Sequence, residues 1–266
     1  MFELLAEPPD FLNEEGYVTF VTSNYLPILE NLLKSYQRFS TKRLHIFAIN
    51  FQILNLPKNI TSTPIRTDRE LSFYNICAAK LFSAINSPFR HTVILDGDTI
   101  FTPYSDRLFD ETRGRLECLT HPLFCRHPHK YDNTHPRSIL IKEVFDRLNI
   151  VRGNLRYLYA SFTFLKSHST IFHEAYNLMQ SDQYFGEDEV LINALLHKYK
   201  WNADIGFCYL VNASLETLGH FIGGNEYLSP KIHKIYFEYD TPVKFYFFHG
   251  HAVKDKSIVD AYLLSL

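Results

Sequence analysis

Apolar residues recur along the first half of the chain in two alternating patterns. Short runs of consecutive apolar residues, of the length typical of buried strands, are separated by longer stretches with helical spacing. The predicted strands are 16–23, 44–50 and 91–95, and the predicted helices follow Asn24 and span 71–86. Asn24 is the expected N-cap of the first helix, with Pro27 in its first turn. This alternation indicates an α/β fold with a mainly parallel central sheet flanked by helices.

The second half of the chain is less regular. Residues 121–137 are rich in proline and histidine and are predicted to form a loop. Further helices are predicted at 138–148, 170–179 and 187–199, and further strands at 155–166 and 243–248. The sequence contains no glycine- and serine-rich linker, which favours a single domain over residues 1–266.

Composition narrows the function classes. The net charge of −2 at pH 7 argues against a nucleic-acid-binding surface, which needs many basic residues. The four cysteines form no CxxC pair and are expected to be reduced thiols. The N-terminal residues do not resemble a signal peptide, and no apolar run reaches the ~18 residues of a membrane span. We therefore expect a cytoplasmic protein without a membrane span, with peripheral attachment to a membrane left open.

The strongest chemical feature is the segment Asp96-Gly97-Asp98, which directly follows the predicted strand 91–95. Ligands of open α/β sheets bind at the carboxyl ends of strands, where two acids one residue apart can both face the crevice. Carboxylate oxygens suit Mg²⁺ and Mn²⁺, and such an ion would bridge a diphosphate. The other interpretation is a solvated turn, because Asp and Gly favour turns. The position after an apolar strand favours the metal site.

Two of the predicted helices carry charged residues with two interpretations each. Lys80 lies in the middle of the apolar face of helix 71–86, so its amine either extends to solvent or meets a phosphate or carboxylate. Asp188 and Glu189 lie in the first turn of helix 187–199, where the helix dipole favours acids in general. A functional acid in that place would contact acceptor hydroxyls or the transferring sugar.

A cluster of polar residues follows the last predicted strand. His249-Gly250-His251 comes directly after that strand, and Lys254 is close behind. In extended backbone the two histidines point the same way, and Gly250 allows a ligand to approach closely. A histidine here could complete a metal shell, and Lys254 could neutralise a leaving diphosphate. An exposed loop is the alternative.

Taken in order, these residues resemble the GT-A glycosyltransferases. The resemblance rests on Asn24-Tyr25-Leu26-Pro27 after the first strand, Lys80 before the third, the metal motif at 93–98, and His249-Gly250 with Lys254. They are most similar to the retaining group that includes glycogenin and bacterial lipopolysaccharide galactosyltransferases. The resemblance implies one GT-A-like domain, with a nucleotide-sugar donor half at 16–110 and an acceptor half with C-terminal closure at 111–266.

The resemblance also implies the reaction, its ligands and their residues. The activity would be that of a hexosyltransferase that retains anomeric configuration and uses a glycan, lipid or protein acceptor. The donor, a nucleotide-diphosphate sugar, would contact Thr22, Tyr25, Lys80, Asp96 and Lys254, with Tyr25 packed on the base. The metal, Mn²⁺ or Mg²⁺, would be held by Asp96, Asp98 and His249. The catalytic residues would be Asp188 and Glu189.

The sequence departs from the motifs of this group at three places. The group's tail reads HxxGxxK, whereas this chain has His249-Gly250-His251-Ala-Val-Lys254, which leaves open which histidine binds the metal. The group's Asp-Gln helix motif is Asp188-Glu189 here. In the strand at 155–166, Tyr159-Ala160-Ser161 stands where the group has Asn or Ser beside Gly.

Three other functions compete with this interpretation. A haloacid-dehalogenase-type phosphohydrolase also places DxD after an apolar strand. In that class, however, the motif follows the first strand, and the Thr99-Ile100 that follows Asp98 here does not match the rest of its motif. A nucleotidyltransferase would have a glycine-rich basic loop after the first strand, which residues 22–27 lack. A non-catalytic sugar-nucleotide-binding module is disfavoured by the complete set of Lys80, Asp96, Asp98 and His249.

Overall fold

The computed structural model describes residues 1–113, 118–122, 136–151, 158–165, 170–181, 187–200, 210–212 and 245–247. The chain divides into two compact units. The first unit comprises Met1–Ser23, Arg43–Leu95 and Gly114–Ile205, and the second comprises Asn24–Lys42, Asp96–Arg113 and Gly206–Leu266. The division into a donor half at 16–110 and an acceptor half at 111–266 stays a prediction.

The described residues form ten strands and six α-helices. The strands are β1 (Glu3–Leu4), β2 (Phe11–Thr22), β3 (Arg43–Ile49), β4 (Ile60–Arg66), β5 (Phe89–Ile94), β6 (Thr99–Phe101), β7 (Cys118–Pro122), β8 (Leu158–Leu165), β9 (Leu210–Asn212) and β10 (Phe245–Phe247). The helices are α1 (Leu26–Phe39), α2 (Phe73–Ile85), α3 (Arg107–Thr112), α4 (Pro136–Arg147), α5 (Thr170–Gln180) and α6 (Asp188–Tyr199). Among these described helices, none is both long and apolar enough to cross a membrane.

The first unit is built around a seven-stranded sheet with the strand order β1-β4-β3-β2-β5-β8-β7. Neighbours among β4, β3, β2 and β5 run parallel, whereas β1, β8 and β7 run antiparallel to the strands they pair with. The chain steps outwards from β2 to β3 and β4, and returns on the other side of β2 as β5. The strand order therefore reverses between β2 and β5, and open α/β sheets bind ligands at the carboxyl ends of strands flanking such a reversal.

The elements predicted from the sequence are present, and most of their ends agree to within a few residues. The short elements β1, β6, β7, β9 and α3 were not predicted, and three further details differ. The loop predicted at 121–137 is too long, because His121 and Pro122 belong to β7, and Pro136 and Arg137 belong to α4. Asn24 is not the N-cap of α1, since a short 3-10 helix, Ser23–Tyr25, intervenes and Tyr25 takes the cap position without a side-chain hydrogen bond. β4 is absent from the prediction because its polar residues and Pro64 hide the apolar alternation.

Helix α2 is the central helix of the first unit. It lies against β2, α5 and α6. Ala78 and Ala79 are buried in this packing, and their small side chains let the neighbouring elements approach closely. The middle of this helix therefore lies inside the unit whatever the polarity of its residues, and Cys77 and Lys80 are both buried there, whereas Phe73 and Tyr74 in its first turn are exposed.

The second unit places a short strand directly after the acidic segment. β6 pairs antiparallel with β10 in a three-stranded sheet of order β6-β10-β9. The β6 residue Phe101 donates its backbone N–H to the Ser35 hydroxyl of α1 at 3.0 Å, and its ring meets Tyr36 edge-on at 5.4 Å. The Asp106 carboxylate accepts hydrogen bonds from the Ser40 hydroxyl at 2.7 Å and the Thr41 backbone N–H at 2.8 Å. These contacts hold α1 against β6.

Gly16 lies where β2 passes the ring of Phe89, and a larger residue does not fit. A Cβ atom at position 16 would lie 2.5 Å from two ring carbons of Phe89, a side chain that is fully buried. We expect Gly16→Ala to lower the free energy of unfolding by about 2–3 kcal/mol through overpacking. Denaturant unfolding measures this loss. Adding Phe89→Leu should return part of it, and a loss that is unchanged in the double variant would contradict the steric cause.

His45 is a histidine that the fold keeps neutral. Its side chain is buried in β3, with Nδ1 2.8 Å from the Thr61 hydroxyl and the ring edge-on to Phe47. Among the described residues, its Nε2 atom has no hydrogen-bond partner. Burial lowers the pKa of His45 to about 4, because the apolar surroundings disfavour the imidazolium.

The lowered pKa predicts a loss of stability in acid. The unfolded chain takes up a proton near pH 6.5, whereas folded His45 does so only near pH 4, so protons favour the unfolded state between these values. The stability is complete above pH 6.5 and falls by about 3 kcal/mol on going down to pH 4. We expect His45→Leu to flatten this part of the curve in urea unfolding, whereas the same change at the exposed His173 should not. Parallel curves for the wild type and His45→Leu would refute the assignment.

Candidate active site

The acidic segment Asp96-Gly97-Asp98 leaves the carboxyl end of β5. Leu95 still belongs to the first unit, where its backbone N–H donates to the Val18 carbonyl of β2 at 2.9 Å. The next residues turn away from the strand, and the Thr99 N–H donates to the Asp96 carbonyl at 3.1 Å to close the turn before β6. Asp96 and Asp98 are half-buried. We call this feature, residues 96–98, the acidic turn.

The acidic turn has the chemistry of a divalent cation site. Two carboxylates in one tight turn supply hard oxygen ligands, which suit Mg²⁺ and Mn²⁺. The Oδ1 atom of Asp98 is inaccessible to solvent, so this carboxylate is not the freely solvated group of an ordinary surface turn. The described ranges hold no group of three His, Cys, Asp or Glu residues suited to a metal ion. The predicted third ligand, His249, lies outside the described residues.

Lys80 and Asp188 form a buried ion pair in the first unit. The Nζ atom of Lys80 on α2 lies 3.9 Å from Oδ2 of Asp188, the first residue of α6. The two residues are only 4% and 6% exposed. Lys80 therefore does not extend to solvent, which was one of the two interpretations of its place on the apolar face. Two buried charges are tolerated when they balance each other.

The acids at the start of α6 are buried, unlike ordinary acids in a first helical turn. Asp188 and Glu189 both lie inside the unit, as does most of the helix up to Leu196. The N-cap residue Glu187 makes no side-chain capping hydrogen bond. The positive end of the helix dipole stabilises both carboxylates, but burying a charged group costs free energy. Buried acids held at such a cost are candidates for function.

Cys77 also belongs to this cluster. Its thiol is buried on α2, one helical turn before Lys80. Burial, and secondly the negative charge of Asp188, raise the pKa of the Cys77 thiol far above its usual range, so the sulfur stays protonated. In the sequence, cysteine at this place fits the apolar face of α2, one helical turn from Lys80.

The remaining predicted site residues fall into two groups. Thr22 is the last residue of β2 and is buried, at the strand end beside the reversal in strand order. Tyr25 is 48% exposed in the short 3-10 helix before α1, with its ring available to a flat ligand. The predicted phosphate ligand Lys254 and the alternative metal ligand His251 lie outside the described residues.

Comparison with solved structures identifies the fold. A galactosyltransferase, LgtC, crystallised with donor and acceptor sugar analogs, superposes with a TM-score of 0.57 at 12% identity, covering 92% of this chain and 95% of its own. The bifunctional glycosyltransferase WbbM, in its apo form, superposes with a TM-score of 0.60 at 15% identity, covering 92% of this chain and 47% of its own. No protein-family description matches the sequence, and no curated protein matches it either. The predicted GT-A-like α/β fold is thereby confirmed.

Proposed function

We propose that this chain is a metal-dependent hexosyltransferase that moves a sugar from a nucleotide-diphosphate donor to a glycan, lipid or protein acceptor. The observation that carries the proposal is the acidic turn, which leaves the carboxyl end of β5 beside the reversal in strand order. The similarity in fold to two glycosyltransferases supports it. One of these two, LgtC, forms a complex with donor and acceptor sugar analogs.

In this proposal Asp96 and Asp98 hold Mn²⁺ or Mg²⁺, with His249 as a further ligand. When bound, the ion would neutralise charge on the donor diphosphate as it leaves. The donor also contacts Thr22, Tyr25, Lys80 and Lys254, and Tyr25 packs on the base. The exposed ring of Tyr25 supports its part in this set, since stacking requires a free face.

We further propose that Asp188 and Glu189 act on the sugar, and that the reaction retains anomeric configuration. The Lys80 ammonium, 3.9 Å from Asp188, balances the charge of that carboxylate. An ionised carboxylate stabilises the positive charge that develops on a sugar ring during transfer. In a retaining course the leaving phosphate oxygen takes the acceptor proton, so Asp188 need not be a general base. NMR of the glycoside product decides this, and inversion would make Asp188 the candidate base.

A screen of nucleotide sugars tests the proposal against its competitors. Purified protein is incubated with a panel of nucleotide-diphosphate sugars and Mn²⁺, and released nucleoside diphosphate is measured. Release from one donor is the expected result. Phosphate release from sugar phosphates would instead indicate a phosphohydrolase. Mn²⁺-dependent binding of a nucleotide sugar with no release, even with mixed glycan and lipid acceptors, would indicate a binding module.

A further inference from the structure

Two aromatic side chains lie next to each other on the surface at the start of α2. Phe73 is 57% exposed and Tyr74 is 48% exposed, and their ring centroids lie 5.7 Å apart with the rings edge-on. A single exposed apolar side chain is ordinary in a folded protein. Two neighbouring rings, however, form a surface on which a ligand can pack, and aromatic residues are enriched at recognition surfaces. We call Phe73 and Tyr74 the aromatic pair.

The aromatic pair lies at the edge of the sheet where ligands of open α/β sheets bind. The parallel strands β2, β3, β4 and β5 all end at this edge. Helix α2 begins there, because residues 67–72 connect the carboxyl end of β4 to it. Side chains of an α-helix tilt toward its N-terminus, so the two rings extend toward the same edge. Lys80, the partner of Asp188, lies about 10 Å further along the helix.

The segment 67–72 that leads to the aromatic pair is held in place by Asn50, which directly follows β3. The Asn50 backbone is left-handed, with a φ of 62°, a conformation that few residues other than Gly and Asn adopt readily. Its Oδ1 atom accepts the Thr67 backbone N–H at 2.8 Å, and its Nδ2 atom donates to the Thr67 carbonyl at 3.1 Å. Unusual backbone conformations that surrounding contacts enforce are concentrated at functional sites.

Further hydrogen bonds fix the rest of this segment to the start of α2. The Thr67 hydroxyl accepts the Arg69 backbone N–H at 3.2 Å. The N-cap residue Ser72 accepts the Asn75 backbone N–H at 3.4 Å, and the Asn75 side chain donates to the Glu70 carbonyl at 2.5 Å. A surface that is ordered before its ligand arrives loses little entropy on binding. The aromatic pair is therefore presented by a preorganised segment.

The polar residues beside the aromatic pair suit a neutral ligand rich in hydroxyl groups. Asp68, Arg69 and Glu70 are exposed and supply two carboxylates and one guanidinium. Carboxylates accept hydrogen bonds from hydroxyls, and a guanidinium donates to their oxygens. An anionic membrane would instead require an excess of Lys and Arg, and a protein partner a much larger surface. A sugar ring has hydroxyls at its rim and a face of C–H groups that packs on aromatic rings.

We propose that the aromatic pair and the segment 67–72 bind the acceptor, and that this acceptor is a neutral glycan. One of its sugar rings packs on Phe73 and Tyr74, and its hydroxyls bind the charged side chains of the segment. The inference rests on the proposed function, and it narrows the acceptor from a glycan, lipid or protein to a glycan. Phe73 and Tyr74 are then specificity-determining residues for the acceptor and not for the donor.

A glycan array tests this binding without any need for turnover. It compares the wild type with Phe73→Leu/Tyr74→Leu, which removes both rings and keeps apolar side chains, and with Tyr199→Leu. Tyr199 is the matched control, because it is a partly exposed aromatic residue at the last position of α6, the opposite end from Asp188. We expect the wild type and Tyr199→Leu to bind the same neutral glycans, and the double variant to bind them about 10-fold more weakly. Equal binding by all three proteins, or no neutral glycan bound by the wild type, would overturn the inference.

Kinetics with the best-bound glycan as acceptor provide the second readout. The double variant should raise the acceptor KM by about 10-fold and keep the donor KM within about threefold of wild type. Asn50→Gly keeps the left-handed backbone without strain and removes both hydrogen bonds to Thr67, so it should also raise the acceptor KM. An acceptor KM that is unchanged in the double variant would overturn the inference.

Two further outcomes separate this inference from the proposed function. Should the wild type release no nucleoside diphosphate from any donor, the proposed function fails, and the glycan array alone decides whether the aromatic pair binds a glycan. Binding to phosphatidylcholine vesicles that the double variant loses, with no glycan bound, would assign the aromatic pair to a lipid surface and overturn the inference.

Discussion

Replacing Asp98 with Asn is expected to lower turnover of the nucleotide-sugar donor by about 1,000-fold, because a neutral amide binds a divalent cation poorly. The change keeps the size and shape of the side chain. Asp98 is half-buried in a turn and not among the core residues, so the free energy of unfolding should change by less than about 1 kcal/mol. Steady-state kinetics and urea unfolding of the same preparation measure both effects.

The control for this variant is Asp110→Asn. Asp110 lies in α3 of the same unit, is exposed, and pairs with Arg113 at 3.0 Å on the surface. An isosteric loss of one acid there should leave turnover unchanged. Full activity of Asp98→Asn in the presence of a chelator would remove the acidic turn from the mechanism, whereas equal losses in both variants would mean that the effect is not specific to it.

Breaking the Lys80–Asp188 pair is expected to cost both stability and activity. Removing either partner takes away the opposite charge 3.9 Å from the other buried group, which lowers the free energy of unfolding by about 3 kcal/mol. Lys80→Met and Asp188→Asn should therefore each be destabilised and inactive. The double variant has lost both buried charges. We therefore expect its free energy of unfolding to be about 2 kcal/mol higher than the sum of the two single losses predicts.

A surface pair supplies the control for this cycle. Lys198 contacts Glu174 at 2.6 Å, but both side chains are partly exposed to solvent, so Lys198→Met should cost less than about 1 kcal/mol. Donor turnover should be unaffected by that change. If Lys80→Met and Asp188→Asn melt at the same temperature as the wild type, the buried pair does not contribute to stability. Additive losses in the double variant would show that the two residues do not interact.

The sequence predicts well those parts of this protein that depend on local patterns. The apolar runs that become β3 and β5 and the helical spacing that becomes α2 are complete within single elements. The acidic turn is visible for the same reason, because Asp96 and Asp98 follow their strand directly. The strand β4 is missed because its place in the sheet is fixed by its neighbours β1 and β3, and not by its own alternation of residues.

Contacts between distant residues cannot be obtained from such patterns. Lys80 on an apolar face has several possible partners in the sequence, and only the packing of α2 against α6 selects Asp188. Cys77 looks like a small apolar residue in the sequence, and the same packing decides that it is buried near the charge of Asp188. Asn24 is a good capping residue by type, but the short 3-10 helix moves the start of α1 beyond it.

The central claim is that the acidic turn holds the metal of a nucleotide-sugar transferase. Its most direct test is the rate of nucleoside diphosphate release from the donor found in the screen, measured as Mn²⁺ is added to metal-free wild-type protein. We predict no release without metal, a saturable rise as Mn²⁺ is added, and no comparable rise with Asp98→Asn at the same concentrations. Release at full rate from metal-free protein, or the same Mn²⁺ dependence in Asp98→Asn, would contradict the claim.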